Sequence, residues 1–238
     1  MNLSVIIPTL NEEDSLPSTI RSVRENAVIA EPYEIIIADS GSGDGTQDLA
    51  LELGLKLVRC VNPLPGRASA LNQGAASASG GVLLFLDADT SLPVGYDESI
   101  MDALEDPGTV GGAFEFSLDG GEFGLRVVEV INRVRYRVRQ RYYGDQGVFV
   151  RAVAFKAVGG VPELRLLETA YFCKALKKIG KLELIKKNIK TSPRRFLRGG
   201  IYSVLAGDIK IWFLDLVGIP VDKLGEGYWK ENTSRTKN

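Results

Sequence analysis

Within its first half the chain reads Val82-Leu83-Leu84-Phe85-Leu86-Asp87-Ala88-Asp89-Thr90, an apolar run that ends in two carboxylates. An unbroken apolar run of this length predicts a strand that is buried on both faces of a parallel sheet. Since residues i and i+2 of an extended chain face the same way, Asp87 and Asp89 can serve one site. Clustered carboxylates indicate a cation between them, and hard oxygen ligands suit Mg²⁺ or Mn²⁺ and thereby a diphosphate. The alternative for an isolated Asp-x-Asp is a purely structural role, in a turn or as a helix cap.

Strand and helix patterns alternate around this run. The predicted strands are 3–8, 33–38, 55–61 and 82–86, and the predicted helices are 13–26, 45–53, 67–79 and 96–104. Continuous apolar strands between helices predict an α/β fold with a Rossmann-like, mostly parallel central sheet flanked by helices. Ligands of such sheets bind at the carboxyl ends of the strands, where the polar clusters 8–12, 39–44 and 87–89 fall.

From residue 110 onward the pattern changes. A strand is predicted at 110–118, an extended segment at 143–151, and helices at 122–140, 168–179 and 201–217. The helix at 122–140 rests on apolar residues at helical spacing, namely Val127, Ile131, Val134 and Val138. We interpret its arginines as a solvated helix face: Arg133, Arg137 and Arg141 on one flank, Arg135 and Arg139 on the other.

The apolar helix at 201–217 carries Trp212 and Phe213. We favour packing in the core or in a homodimer for it, and keep contact with a membrane surface as the alternative, since the basic flank at 133–141 suits anionic lipid.

The amino-acid composition of the chain excludes several classes of function and favours others. The 238 residues form one large domain with halves at 1–105 and 106–228 and a flexible tail at 229–238. The chain contains 29 basic and 30 acidic residues, so its overall charge does not predict nucleic acid as a partner. Two cysteines, no signal peptide and no bilayer-length apolar run predict a cytoplasmic location. The absence of histidine excludes His-based triads, His general bases and the usual zinc sites.

The segment from Asp39 to Thr46 closes one predicted strand and opens a helix. Asp39 is placed to accept hydrogen bonds from a base or ribose, and Asp44 can cap the helix. An ordinary glycine-rich turn is the alternative. The segment is not a dinucleotide fingerprint, because Thr46 stands where the third glycine belongs, and the chain has no P-loop Gly-Lys-Ser/Thr.

Taken in order, four segments of the chain resemble the family 2 glycosyltransferases of the GT-A fold: 5–13, 39–46, 67–75 and 86–90. The resemblance implies transfer of a sugar from a nucleotide-diphosphate sugar, with a UDP-sugar favoured, to an unknown acceptor. It also implies inversion at the anomeric carbon and help from Mn²⁺ or Mg²⁺. Residues 1–105 would be the nucleotide-sugar-binding half, and 106–228 would carry the C-terminal acceptor-side helices.

The same resemblance implies roles for single residues. Pro8, Thr9, Glu12 and Asp39 would line the base and ribose pocket, and Arg67, Asn72 and Asp87 would lie beside the nucleotide. Asp87 and Asp89 would form the metal motif, with Asp89 the better candidate for direct coordination. Arg194 or Arg195 could clamp the diphosphate, with a solvated basic loop as the alternative.

One position departs from the family pattern. Thr169 stands where the family usually carries the aspartate that acts as base, and a threonine hydroxyl cannot be a general base near neutral pH. Three interpretations stay open: Glu168 is the base, Asp145 is the base, or the chain binds a nucleotide sugar with weak or no transfer. A sugar-phosphate nucleotidyltransferase ranks lower, because residues 8–12 replace the basic glycine-rich loop of those enzymes.

Overall fold

The frame of the molecule is one mixed β-sheet. In the computed structural model, residues 2–29, 34–61, 67–139 and 141–219 are described. Their strands are β1 (Leu3–Thr9), β2 (Glu34–Asp39), β3 (Lys56–Arg59), β4 (Val82–Phe85), β5 (Thr90–Ser91), β6 (Thr109–Leu118), β7 (Val148–Arg151) and β8 (Lys181–Thr191). Their order across the sheet is β3-β2-β1-β4-β7-β6-β8-β5. The first four strands are parallel, β7 is antiparallel to both of its neighbours, and β6 and β8 are parallel.

Helices cover both faces of the sheet. They are α1 (Leu16–Glu25), α2 (Thr46–Glu52), α3 (Ala68–Ala76), α4 (Tyr96–Ala103), α5 (Phe123–Arg139), α6 (Ala152–Ala157), α7 (Glu168–Leu176), α8 (Arg194–Gly199) and α9 (Ile201–Leu216). Alternate residues of β1 enter opposite apolar layers. Ile6 belongs to the layer that contains side chains of α3, α5 and α7, whereas Val5 and Ile7 belong to the layer that contains side chains of α1, α2 and α4. Burial on both faces explains why the strands read as continuous apolar runs.

The α/β prediction is confirmed, and every predicted helix and strand is present with ends shifted by a few residues. Four elements were not predicted: β5, α6, β8 and α8. The segment at 143–151 is extended only from Val148, because Gly144–Gln146 form a 3₁₀ turn. The predicted tail at 229–238 lies outside the described residues.

Two predictions about helix surfaces need correction. The apolar residues at helical spacing identify α5 as a helix but do not mark its buried face. Val134 and Val138 are 60% and 77% exposed, whereas Val128 and Tyr136 are buried. Core packing of α9 is wrong for most of the helix, where only Leu205 is buried. Within the described part of the chain, no helix is long and apolar enough to cross a membrane.

Candidate active site

Polar side chains meet at the carboxyl ends of β1 and β2, as the α/β pattern predicts. Thr9 and Asp39 are register partners, and the Thr9 hydroxyl donates to Asp39 Oδ2 at 2.9 Å. Asp39 also accepts from the backbone N–H groups of Gly41 and Ser42, the Ser42 hydroxyl and the Gln47 amide. Burial raises the pKa of Asp39, but these hydrogen bonds outweigh it and hold the pKa below its usual value. Asp39 therefore stays ionised and fixes the loop at 40–47.

The two carboxylates that follow β4 each face an arginine. Arg67 Nη2 lies 2.5 Å from Asp87 Oδ1, and Arg194 Nε lies 3.0 Å from Asp89 Oδ2. Arg194 also reaches Glu12 at 2.5 Å, so it ties the loop after β1 to the loop after β4. Burial and the nearby charge of Asp87 raise the pKa of Asp89 to about 6, against the opposing effect of Arg194. The ionised form of Asp89 is therefore costly where it stands, and a bound cation would stabilise it.

This donor set fits a divalent cation that arrives with its substrate. Among the described residues, no three His, Cys, Asp or Glu side chains are grouped closely enough to hold an ion alone. An ion at Asp89 would take its remaining ligands from water and a diphosphate, as Mg²⁺ commonly does. Glu12, whose Oε1 pairs with Arg194, lies near the pair but does not complete such a group.

Arg67 lies among four carboxylates at the centre of the site. Burial lowers its pKa, but the charges of Asp87, Glu168, Asp145 and Asp89 outweigh this and raise it above its usual value. Its guanidinium packs directly on the backbone of Gly144, where a Cβ atom would overlap it. The glycine of the 3₁₀ turn is therefore required to place this cation.

Both candidate bases line one cavity of about 270 Å³ together with Arg67, Asp87 and Asp89. Asp145 Oδ1 is buried and has no hydrogen-bond partner. Burial raises the pKa of Asp145 to about 6, while the charges of Arg135 and Arg67 oppose the shift. Glu168 is engaged instead: Thr169 donates to it at 3.2 Å, and Arg67 Nε lies 3.7 Å from its carboxylate.

Other predicted residues are held by the protein itself. The Asn72 side chain donates to the Val161 carbonyl oxygen and accepts from the Val161 N–H, so it pins the turn at 159–162. Arg195 forms an ion pair with Asp208 of α9 and lines the cavity. Pro8 is partly buried opposite Ala38. Contact of these residues with a nucleotide stays a prediction.

Two residues of the site escaped the sequence reasoning. Leu167 lines the cavity with a left-handed backbone (φ 60°), which is unusual for a leucine and marks the start of α7 just before Glu168. Arg135, expected on a solvated face, instead lies between the rings of Tyr143 and Trp212. No local sequence signal indicates either placement, because both depend on segments distant in the chain.

Comparison with known proteins agrees with this geometry. A chain from Serratia proteamaculans (strain 568) named undecaprenyl-phosphate 4-deoxy-4-formamido-L-arabinose transferase is 30% identical over 156 residues, covering 63% of this chain. That match covers 48% of the relative, so this chain spans about half of its length.

Solved structures share the fold. S. aureus TarS 1-349 superposes with a TM-score of 0.65 at 16% identity, covering 89% of this chain and 65% of that one. Glucosyl-3-phosphoglycerate synthase from Mycobacterium tuberculosis, in complex with Mn²⁺ and UDP-glucose, gives a TM-score of 0.63 at 21% identity, covering 92% and 80%. The architecture is that of the GT-A glycosyltransferases.

The family model described as Glycosyl transferase family 2 matches residues 4–158. This range holds β1 to β4, the Asp87–Asp89 pair and Asp145, and it gives no support to a nucleotidyltransferase. Because the match covers well over half of the sequence, the chain belongs to glycosyl transferase family 2.

Proposed function

We propose that this chain transfers a sugar from a UDP-sugar, bound with Mn²⁺ or Mg²⁺ at Asp87 and Asp89, to an acceptor oxygen that Asp145 deprotonates. The observation that carries the proposal is the cavity in which an unpartnered Asp145 carboxylate oxygen faces the same space as Arg67 and the Asp87–Asp89 pair. Donor activation and acceptor deprotonation can therefore take place in one enclosure.

On the donor side, the charges suit a leaving diphosphate. Arg67 and Arg194 place two guanidinium groups beside Asp87 and Asp89, and guanidinium binds phosphate oxygens in pairs. A bound divalent ion would supply Lewis-acid stabilisation of the negative charge that develops on the nucleoside diphosphate. The Mn²⁺ and UDP-glucose bound to the mycobacterial protein of the same fold support this assignment.

On the acceptor side, Asp145 suits the base better than Glu168 does. A general base works best when its pKa lies near the operating pH, and burial raises the pKa of Asp145 to about 6. The Glu168 carboxylate already accepts from Thr169 and lies near Arg67, so its oxygens are less available to an acceptor hydroxyl.

A second candidate function is nucleotide-sugar binding without efficient transfer. Thr169 favours it, since this side chain is buried in the cavity wall where the family usually carries an aspartate. Thr169→Asp separates the two functions: a large gain in turnover would show that the base is missing, whereas unchanged or lower turnover supports Asp145.

The donor assignment is tested by ligand binding. We expect a UDP-sugar to raise the melting temperature only when Mn²⁺ is present, because a ligand of the native state stabilises it by mass action. GDP- and dTDP-sugars are compared in the same scan, and calorimetry gives the affinities. In Asp89→Asn the metal-dependent stabilisation should disappear.

Asp102→Asn is the matched control, since Asp102 is an exposed acid on α4. It should bind like the parent protein. If no nucleotide sugar binds with either metal, the glycosyltransferase proposal is wrong for this chain.

A further inference from the structure

A second cavity, of about 160 Å³, adjoins the candidate active site on the side of α5 and α9. It shares Tyr143, Asp145 and Arg195 with the first cavity, and side chains of α5 and α9 form most of its remaining wall. Because Asp145 borders both spaces, a molecule that lies in the second cavity can present a group to the Asp145 carboxylate.

A cation without a hydrogen-bonding partner faces this second cavity. The guanidinium carbon of Arg135 lies 3.5 Å from the ring centroid of Tyr143 and 4.3 Å from that of Trp212. Cation–π contacts of this kind hold a guanidinium in place but leave its N–H donors without acceptors. Arg135 forms no hydrogen bond and no ion pair with any residue that the structure describes, and its Nε is buried.

The charges around Arg135 do not neutralise it by direct contact. Arg195 and Asp208, which also line the cavity, form an ion pair with each other. Two groups of this cavity have no such partner: the Arg135 guanidinium and Asp145 Oδ1. Their charges attract each other, but the two groups are too far apart to form an ion pair. A buried donor and a buried acceptor without partners are both costly, so a ligand that satisfies both would be bound strongly.

We propose that Arg135 is a specificity-determining residue that binds an oxyanion on the acceptor, of the phosphate-monoester or carboxylate class, while an acceptor hydroxyl donates to Asp145. This inference rests on the proposed function and names the substrate class of the same site. An oxyanion supplies the two adjacent acceptor oxygens that a guanidinium fork binds in parallel. The Tyr143 and Trp212 rings beside Arg135 lower the local dielectric, which strengthens a charged contact.

The test uses glycerol 3-phosphate and glycerate, which carry a hydroxyl and an oxyanion, with glycerol as the neutral control. In a Trp229→Phe background Trp212 is the only tryptophan, so its fluorescence reports on Arg135. Titrations are made with UDP and Mn²⁺ at saturation, which keeps the probes out of the diphosphate site. We expect the two anions to change the fluorescence and glycerol to have no effect.

Arg135→Met keeps the aliphatic stem between the two rings and removes the charge. It should weaken binding of the anions about tenfold to a hundredfold, the range for a charged hydrogen bond. Arg137→Met is the matched control from the same helix, because Arg137 pairs with Glu115 and is exposed. It should change the affinity less than about twofold.

UDP binding separates the two proposals. Equal anion affinities in Arg135→Met and the parent, or no anion binding while UDP is bound, would overturn the inference and leave the proposed function intact. Failure of the parent protein to bind UDP would overturn the proposed function itself. Lysophosphatidate, which adds an acyl chain to glycerol phosphate, shows whether the oxyanion belongs to a lipid or to a soluble acceptor. Tighter binding than that of glycerol 3-phosphate indicates a lipid acceptor, and equal binding indicates a soluble acceptor.

Discussion

Asp145 is partly exposed, but its Oδ1 is buried, and this burial raises its pKa to about 6 against the opposing charges of Arg135 and Arg67. As a base it must be ionised, so we expect the rate of nucleoside diphosphate release to rise with pH up to about 6 and then level off. Asp145→Asn should lower kcat by a factor of about 10² to 10⁴, the usual share of a general base. Glu168→Gln is the comparison variant and should keep the acidic limb of the profile. Because Asp89 also has a pKa of about 6, the decisive readout is kcat above pH 7, and an Asp145→Asn protein with the parent kcat there would assign the base elsewhere.

The same raised pKa makes a prediction about stability. Between the ordinary pKa of an aspartate and about 6, the folded chain binds more protons at Asp145 than the unfolded chain does, so the free energy of unfolding falls as pH rises through this window. Above pH 6 the ionised carboxylate therefore destabilises the fold. We expect Asp145→Asn to be more stable than the parent protein at pH 8 and nearly equal at pH 4. Urea unfolding at both pH values measures this, and a less stable variant at pH 8 would contradict it.

The sequence predicts those site residues that follow a strand directly. Asp39, Asp87 and Asp89 are visible because a strand ends beside them and the topology of parallel sheets gathers such ends. The surroundings of Arg135 cannot be predicted in this way. Helical spacing indicates on which side of α5 it lies, but not that the rings of Tyr143 and Trp212 cover it. The helical pattern therefore predicts a solvated arginine where the fold partly covers one between two rings.

The contact between β6 and β8 depends on glycine at position 112. A Cβ atom on Gly112 would overlap the Glu183 carbonyl oxygen of β8 and the Phe149 ring. We expect Gly112→Ala to lower the free energy of unfolding by about 1–3 kcal/mol, the usual cost of overpacking, as measured in urea. Gly121→Ala is the control, since no atom lies within 4 Å of a Cβ there. If the Gly112→Ala protein were as stable as this control, β6 and β8 could accommodate the added methyl group without cost, and the prediction would be wrong.

β8 itself was not predicted, for a physical reason. Its residues Lys181–Thr191 alternate between buried and exposed only in part, because the pairing with β6 shifts register between Phe114 and Glu115. Phe114 pairs with Ile185 and Glu115 pairs with Asn188, so Lys186 and Lys187 have no register partner on β6. These two extra residues interrupt the period of two on which a strand prediction depends. Lysines near the sheet edge also protect it from pairing with other chains.

The two halves of the chain share one sheet, so they should unfold together. β7 from the second half lies between β4 and β6, and β5 from the first half pairs with β8 at the edge of the described sheet. We expect a single transition in urea, with circular dichroism and tryptophan fluorescence giving the same midpoint. Two separate midpoints would show that 1–105 and 106–228 are independent folding units.

The interleaved strand order also determines which shortened versions of the molecule would expose an unpaired strand edge. The match to the family model ends at residue 158, yet β8, which pairs along nearly the whole of β6, begins at Lys181. A protein cut at residue 158 would expose the ten-residue β6 as an unpaired, largely apolar edge. Such an edge is a template for intermolecular strand addition, so the family-sized fragment would tend to aggregate, whereas the chain through α9 covers that edge with its own lysine-rich strand.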